Sequence, residues 1–438
     1  MKVAFTTLGC RVNQYETEAM TEKFIKSGYE VVHFDEQSDV YVINTCTVTN
    51  MGDKKSRQMI GRARRSNPNA VIAVAGCYSQ IAPEKVAKIP GVDVVIGTRN
   101  KGEIVELVQK CMGEKKQIIH VDDVLRNNVF EELNIEEYQD KTRAFLKIQD
   151  GCNSFCSYCA IPFARGAVCS KSPDKIIEEV NRLASHGFKE IILSGIHISS
   201  YGVDLEGNWD LMKVLEEVDK VDGIERVRIG SISPKFFTED VIIRISKLKK
   251  LCPHFHLSLQ SGCDETLKRM NRHYTTDEYN NVVEGLRNSV KDVSITTDII
   301  VGFPGETKEE FNTTYKFLEK IKLSKMHIFK YSPREGTKAA EMKEQVDGNI
   351  KEERSSRLIE LNKRLEKEFM SRFINTKLKV LYEEKVRDKE EFYEGYTPNY
   401  IKVMSNSKES IEGKILETEI IGVEEEISIG NIVEQCKN

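Results

Sequence analysis

Three cysteines, Cys152, Cys156 and Cys159, stand in the run DGCNSFCSYC with the spacing C-x3-C-x2-C. A loop this short can wrap three thiolates around one face of a cuboidal iron–sulfur cluster. A [4Fe–4S] cluster ordinarily takes four cysteine ligands. No fourth cysteine lies close by, so one iron keeps an open position for a ligand from outside the chain. The competing readings are a zinc knuckle and a few buried free thiols. Zinc sites mostly use four ligands, often as two closely spaced pairs. Here no His or Cys pairs locally with the triplet, and Cys169 is ten residues further on.

A second set of thiols is visible only through the elements that would hold it. Up to about residue 125 the chain alternates apolar runs (3–8, 40–43, 70–75, 92–96) with helical patterns such as 16–26 and 54–65. Such alternation predicts a parallel sheet covered by helices. Cys10, Cys46 and Cys77 each stand just past one of the first three strands, after Gly9, Thr45 and Gly76. The carboxyl ends of parallel strands share one edge, where ligands bind. Three cysteines separated by 36 and 31 residues are therefore expected to converge. The plain alternative is three core cysteines, a frequent fate for this residue.

From Arg143 a second α/β run begins, with strands expected at 144–148, 190–193, 226–230, 255–259, 295–301 and 326–330. Helical patterns between them include 173–185, 211–221, 238–248, 276–289 and 308–321. Six such units are too few for a closed eight-unit barrel and predict an open, partial (β/α)6 barrel. Its chemistry belongs at the C-terminal strand ends, where Cys152 follows the first strand. Residues 100–142 read as a connector. A charged packing helix is expected over 348–372, with Glu353 and Arg357 paired at i, i+4. Short strand patterns after 373, at 378–382, 400–403, 412–419 and 426–429, predict a small antiparallel β-barrel.

With 438 residues, 39% hydrophobic and 31% charged, the composition is that of a globular, highly charged protein of about three domains. No apolar run approaches the ~18 residues of a membrane span. The start of the chain looks like a first strand rather than a signal peptide. Eleven cysteines without a secretion signal favour metal or redox chemistry in a reducing, cytoplasmic setting over a disulfide framework.

Seven stretches in order carry a resemblance: TLGCRVNQYETE (7–18), NTCTVTNMGDKKSRQ (44–58), AGCYSQ (75–80), GCNSFCSYCAIPFARG (151–166), LSGIHISSYG (193–202), HLSLQSGCDETLKRMNR (256–272) and IVGFPGET (300–307). On these the chain is similar, end to end, to the radical S-adenosylmethionine (SAM) methylthiotransferases. The resemblance implies an N-terminal cluster-binding domain (1–125), a radical SAM domain (138–372) and a TRAM-like domain (373–438). It implies two [4Fe–4S] clusters, held by Cys10, Cys46 and Cys77 and by Cys152, Cys156 and Cys159. SAM on the second of these would give a radical that takes hydrogen from adenine C2. The first cluster would supply or carry the sulfur, which a second SAM methylates. An aromatic C–H has no useful acidity at neutral pH, so a radical is a sensible way to open the reaction. An electron donor, unidentified, is needed. The run GCRVNQYETE looks like the branch acting on N6-threonylcarbamoyladenosine at tRNA position 37. Isopentenyladenosine in tRNA and a ribosomal-protein aspartate are the alternatives within the family. Phe163 and Cys263 depart from the usual residues of relatives, away from the six ligand positions. A non-catalytic RNA-binding module with structural metal is the alternative of a different class.

Further site residues are expected around SAM: Tyr158, to contact its adenine or simply to pack, and Gly195, Gly302 and Glu306, at close backbone approaches or ordinary turns. Cys111, Cys169, Cys252, Cys263 and Cys436 read as free thiols. The segment 53–65 holds Lys54, Lys55, Arg57, Arg62, Arg64 and Arg65 against one acid, a helix able to track tRNA phosphates or simply to face solvent. The tail from 373 has 14 acids against 9 Lys or Arg, which by charge alone suits a basic protein better than RNA. A threonylcarbamoyl substrate carries a carboxylate, so its pocket should offer an Arg or Lys.

Overall fold

The computed structural model describes residues 1–438 except 49, 127–128, 134, 136–141, 388 and 434–438, so Cys436 lies outside the described residues. The first part is a six-stranded, all-parallel sheet: β1 (Lys2–Thr7), β2 (Glu30–Val32), β3 (Val40–Thr45), β4 (Val71–Gly76), β5 (Val94–Ile96) and β6 (Ile118–His120), in the order β2-β1-β3-β4-β5-β6. Buried apolar residues cover both its faces, Val3, Val40, Val42 and Ala73 in one cluster and Ala4, Tyr41, Ile43 and Ile72 in the other. This is the two-sided burial a parallel sheet demands.

The connector expected over 100–142 is partly wrong. Helix Ile104–Glu114 and β6 belong to the sheet. Ile104, Val105, Val108 and Cys111 make the helix's buried stripe, whereas a three-residue edge strand leaves no alternation to read. Helix α1 spans Arg11–Lys26, five residues earlier than its pattern indicated. Its first turns bury the polar Asn13 and Glu16, which hides the apolar period.

The second part has six parallel strands in two three-stranded sheets, Arg143–Lys147, Glu190–Ser194 and Arg226–Ile229, then His254–His256, Ser294–Val301 and Lys325–Lys330. Parallel bridges Val227–Leu251 and Ile232–Leu257 join the halves, giving the open six-strand barrel. Its fourth strand is shorter and earlier than expected, and Leu257 and Gln260 continue its line only as isolated bridges. Helix Gly348–Ser371 packs against the last strand through Asn362, whose Oδ1 accepts the Met326 N–H at 2.6 Å.

The tail closes a five-stranded barrel of Lys377–Lys385, Phe392–Tyr396, Lys402–Asn406, Ile415–Glu424 and Ile427–Ile432. It is not wholly antiparallel, because Lys402–Asn406 and Ile427–Ile432 run parallel. Phe392–Tyr396 was not anticipated; Glu394 and Gly395 break its strand signal. Among the described residues no helix is long and apolar enough to cross a membrane.

Candidate iron–sulfur and SAM site

Register brings Cys10, Cys46 and Cys77 together. Thr7 lies opposite Asn44, and Asn44 opposite Ala75; the cysteines follow these by three, two and two residues. Adjacent strands are ~4.8 Å apart, so the three thiols occupy one short stretch of the sheet's carboxyl edge. Gly9 (φ +104°) makes the approach possible: a Cβ there would lie 2.8 Å from Cys46 Cβ and 2.9 Å from its Sγ. Burial pushes the Cys46 thiol up to about 11 and raises that of Cys10, and for both the neighbouring thiols add to the rise. Uncompensated, this edge disfavours thiolates.

The compensation is a buried cluster of charge where the sheet meets the barrel. Arg165 is fully buried. Its Nε donates to Cys77 Sγ at 3.3 Å, and Nη2 donates to Asn13 Oδ1 at 2.6 Å and Glu16 Oε2 at 3.1 Å. Lys101 and Lys147, also fully buried, reach Glu16 at 2.8 and 3.0 Å, and Lys147 reaches Asp150 at 2.8 Å. Arg99 lies 3.7 Å from Asp150. Burial pushes the Glu16 carboxyl up, but Arg165, Lys101 and Lys147 outweigh it and hold that group well below the ordinary range. Four cations thus face Glu16 and Asp150 beside the cysteines, with a third carboxyl, Glu131, pushed up by burial to about 7. A cluster ligated by thiolates, bringing negative charge, fits that surplus.

Cys152, Cys156 and Cys159 lie on the loop after the first barrel strand. The loop is strapped down: Ser157 N–H donates to Met270 O at 3.0 Å, Ser157 Oγ to Arg269 O at 2.8 Å, and Asn271 Nδ2 to Phe155 O at 3.0 Å. Phe155 takes the left-handed conformation (φ 44°) that turns the chain between the first two cysteines. Burial pushes Cys159 up to about 12 and raises Cys152. Here too an arginine answers: Arg272 Nη1 donates to Cys156 Sγ at 3.4 Å. Its other partners are neutral, Ser258 O at 3.1 Å and Tyr274 Oη at 2.9 Å, and it makes no ion pair among the described residues. A second cavity, of about 240 Å³, is lined by Cys156, His197, Arg272 and Tyr274. Three thiols on one loop, a neighbouring cation and an adjoining hollow fit a cluster whose open iron takes an external ligand. No three His, Cys, Asp or Glu side chains among the described residues are grouped to hold a single metal ion. A cuboidal cluster spreads its ligands over separate irons and does not require that.

The two sets are joined by one short element. Helix Ile161–Arg165 starts two residues after Cys159 and ends on the arginine that touches Cys77. Arg165 and Arg272 are the site residues that sequence reasoning missed, although each stands at the end of a quoted stretch or one residue before it. Arginines closing cysteine-bearing runs were the available signal.

The expected SAM-side residues fall as follows. Tyr158 lies on the cysteine loop itself, between Cys156 and Cys159, with its ring edge-on to Phe303 at 6.5 Å. At Gly195 a Cβ would sit 2.8 Å from Gln149 Oε1, which accepts the His197 N–H at 2.7 Å. Gly302 (φ +68°) donates its N–H to Glu306 at 2.7 Å, and the same carboxylate pairs with Arg354. Glu306 thus holds this turn. Cys169 Sγ accepts from Arg99 at 2.9 Å and the Cys111 thiol lies 3.8 Å from Asp93 O; Cys252 and Cys263 are buried.

A larger cavity, about 1140 Å³, lies where the three parts meet. Gly9, Cys10 and Arg11 line it from the sheet edge, His256, Thr296 and His327 from the barrel, and Tyr396 and Tyr400 from the tail. On the basic helix Asn50–Ser66, Arg64 is paired with Asp93 and Arg62 with Asp35, while the helix's one acid, Asp53, is taken by Arg334 at 2.8 Å. In the tail, Glu383 and Glu426 face the barrel's Arg143 and Lys325 at 2.6 and 3.4 Å. Part of the tail's acidity is therefore spent at an internal contact.

Residues 2–97 match the uncharacterized protein family UPF0004, and residues 146–318 match the radical SAM superfamily. The chain is 45% identical to the threonylcarbamoyladenosine tRNA methylthiotransferase MtaB of Bacillus subtilis, over 96% of this chain and 93% of that one. It is 43% identical to the enzyme of the same name from Aquifex aeolicus, over 88% and 94%. The tRNA-2-methylthio-N(6)-dimethylallyladenosine synthase of Pelotomaculum thermopropionicum is 35% identical over 96% and 95%. Among solved structures, the radical SAM methyltransferase TsrM of Kitasatospora setae has a TM-score of 0.56 at 14% identity, covering 76% of each chain, a likeness of fold.

Proposed function

The chain belongs to the radical SAM methylthiotransferase family, and we propose that it converts N6-threonylcarbamoyladenosine at tRNA position 37 to its 2-methylthio derivative. The observation that carries this is the pair of three-cysteine sets, one on the sheet edge and one on the barrel loop, joined by helix Ile161–Arg165. The three relatives named for threonylcarbamoyladenosine stand at 38–45% identity, those named for dimethylallyladenosine at 35–37%. The first substrate is therefore favoured.

In this reading Cys10, Cys46 and Cys77 hold one [4Fe–4S] cluster, and Cys152, Cys156 and Cys159 hold the other with SAM. When bound, these groups supply a one-electron route to hydrogen abstraction and a sulfur for transfer; the cofactor carries that chemistry. The protein's part is placement. Arg165 and Arg272 each donate an N–H to one cysteine sulfur, offsetting burial that works against the thiolates. Tyr158 covers the SAM adenine, and Gly195, Gly302 and Glu306 shape the turns around it. Lys54, Lys55 and Arg65 of the basic helix meet tRNA phosphates. Residues 1–125, 138–372 and 373–438 act as three domains in a cytoplasmic enzyme that draws electrons from a separate donor.

Mass spectrometry of tRNA nucleosides from a strain lacking this gene tests the substrate. The expected result is loss of the methylthio mass from threonylcarbamoyladenosine with isopentenyladenosine unaffected. Loss from isopentenyladenosine instead, or from a ribosomal-protein aspartate, overturns it.

A further inference from the structure

The substrate assigned above carries one group that its competitor lacks, a carboxylate on the arm attached to N6. We propose that Arg11 is the specificity-determining residue that binds this carboxylate. The inference rests on that substrate reading and goes beyond it.

Five cations line the large cavity: Arg11, Arg228, Lys325, Lys389 and Lys402. Three are already neutralised. Arg228 Nε lies 3.0 Å from Glu190, Lys325 Nζ 2.6 Å from Glu366, and Lys402 Nζ 2.7 Å from Glu394. Lys389 is turned to Met404 sulfur at 3.7 Å and to the Phe392 ring. Arg11 makes only neutral contacts: Nη1 to Gln14 Oε1 at 3.1 Å, Nη2 to Tyr400 Oη at 3.4 Å, and its guanidinium over Phe145 at 4.9 Å. Among the described residues, Arg11 and Lys389 line the cavity without a carboxylate partner, and Arg11 alone of the two adjoins a cysteine.

That position suits the chemistry. Arg11 directly follows Cys10, which lines the same cavity. On the purine, the carbon bearing N6 is separated from C2 by a single ring nitrogen. A base presented with C2 toward the Cys10 edge therefore carries its N6 arm within a side chain's length of that edge. The guanidinium has five N–H donors, enough to donate two hydrogen bonds to a carboxylate while keeping Gln14 and Tyr400. Phe145, Gln14 and Tyr400 fix the side chain beforehand, which lowers the ordering cost of binding. A neutral isopentenyl arm gains nothing from this group.

The test measures binding of two anticodon stem–loop RNAs to the cluster-loaded enzyme without reductant. One carries threonylcarbamoyladenosine and the other its carboxamide counterpart, identical but for the charge. Wild type is expected to prefer the carboxylate RNA roughly 10- to 100-fold, as a charged hydrogen bond implies. Arg11→Gln should reduce that preference to about twofold or less, and Arg11→Lys should retain part of it. Iron content per chain checks that Cys10 still holds its cluster. An unchanged preference in Arg11→Gln overturns the proposal, as does an equal weakening of both RNAs, which marks a phosphate contact or general damage. If wild type modifies the threonylcarbamoyl RNA but shows no carboxylate preference, Arg11 is wrong and the substrate stands. If it does not modify that RNA at all, the substrate reading fails.

Discussion

The two cysteine sets solve one problem in different ways. Each buries one cysteine, Cys77 or Cys156, and gives that same sulfur an arginine N–H. On the sheet edge the arginine is fully buried and tied to Asn13, Glu16 and Asp150, inside a group of four cations and three carboxyl groups. On the barrel loop Arg272 has a hydroxyl and a carbonyl for company and borders a cavity. The first arrangement locks sheet to barrel, since Glu16 comes from α1 and Arg165, Lys147 and Asp150 from the barrel side. The second leaves a cation facing the hollow beside the cysteine loop. One site is built as a joint and the other as a pocket.

The largest expected effect separates the chemistry of the sets. Cys156→Ala should abolish deoxyadenosine formation from SAM while the sheet-edge iron remains; Cys46→Ala should keep SAM cleavage and lose the methylthio product. If both variants lose the same step, the division of labour is wrong. Next comes stability. Glu16→Gln removes a buried carboxylate from among three cations and should cost about 3–5 kcal/mol in urea unfolding, whereas Arg272→Gln should cost about 1–2 kcal/mol. Equal losses would erase the contrast between joint and pocket. Arg272→Gln should also lower the reduction potential of the loop cluster, roughly by tens of millivolts, leaving the sheet-edge signal in place.

The smallest effect is on pH dependence. Glu16 is held below its ordinary range, so its contribution is complete above the unfolded carboxylate pKa and is lost as pH falls. Glu131, at the same joint, goes the other way: burial pushes it up to about 7, so its contribution is present in acid and fades as pH rises from ~4.5 through about 7. Glu131→Gln should flatten the unfolding midpoint between pH 5 and 7 relative to wild type. A profile identical to wild type would remove Glu131 from the account.

The loop set was readable because its spacing is local: three cysteines in eight positions need no fold to bring them together. The sheet-edge set was readable only through topology, because parallel register places residues dozens apart on one edge. The charged joint was not readable as a unit, although Arg165 stands near the end of a cysteine-bearing run. Glu16, Lys101, Lys147 and Arg165 are scattered over 150 residues of chain, and single charged residues look like surface until a fold buries them. Helix Ile104–Glu114 was legible in its stripe of Ile104, Val105, Val108 and Cys111, whereas strand Ile118–His120, three residues long, shows no alternation. The parallel pair in the tail barrel is likewise a matter of closure, which strand patterns do not encode.

The measurement that tests the central claim most directly is iron and sulfide per chain in anaerobically purified protein. Wild type is compared with two triple variants, one with Cys10, Cys46 and Cys77 changed to Ala and one with Cys152, Cys156 and Cys159 changed to Ala. Two independent clusters predict about eight irons in wild type and about four in each variant. About four irons in wild type, all lost with the loop cysteines and unaffected by loss of the sheet-edge cysteines, would contradict the account.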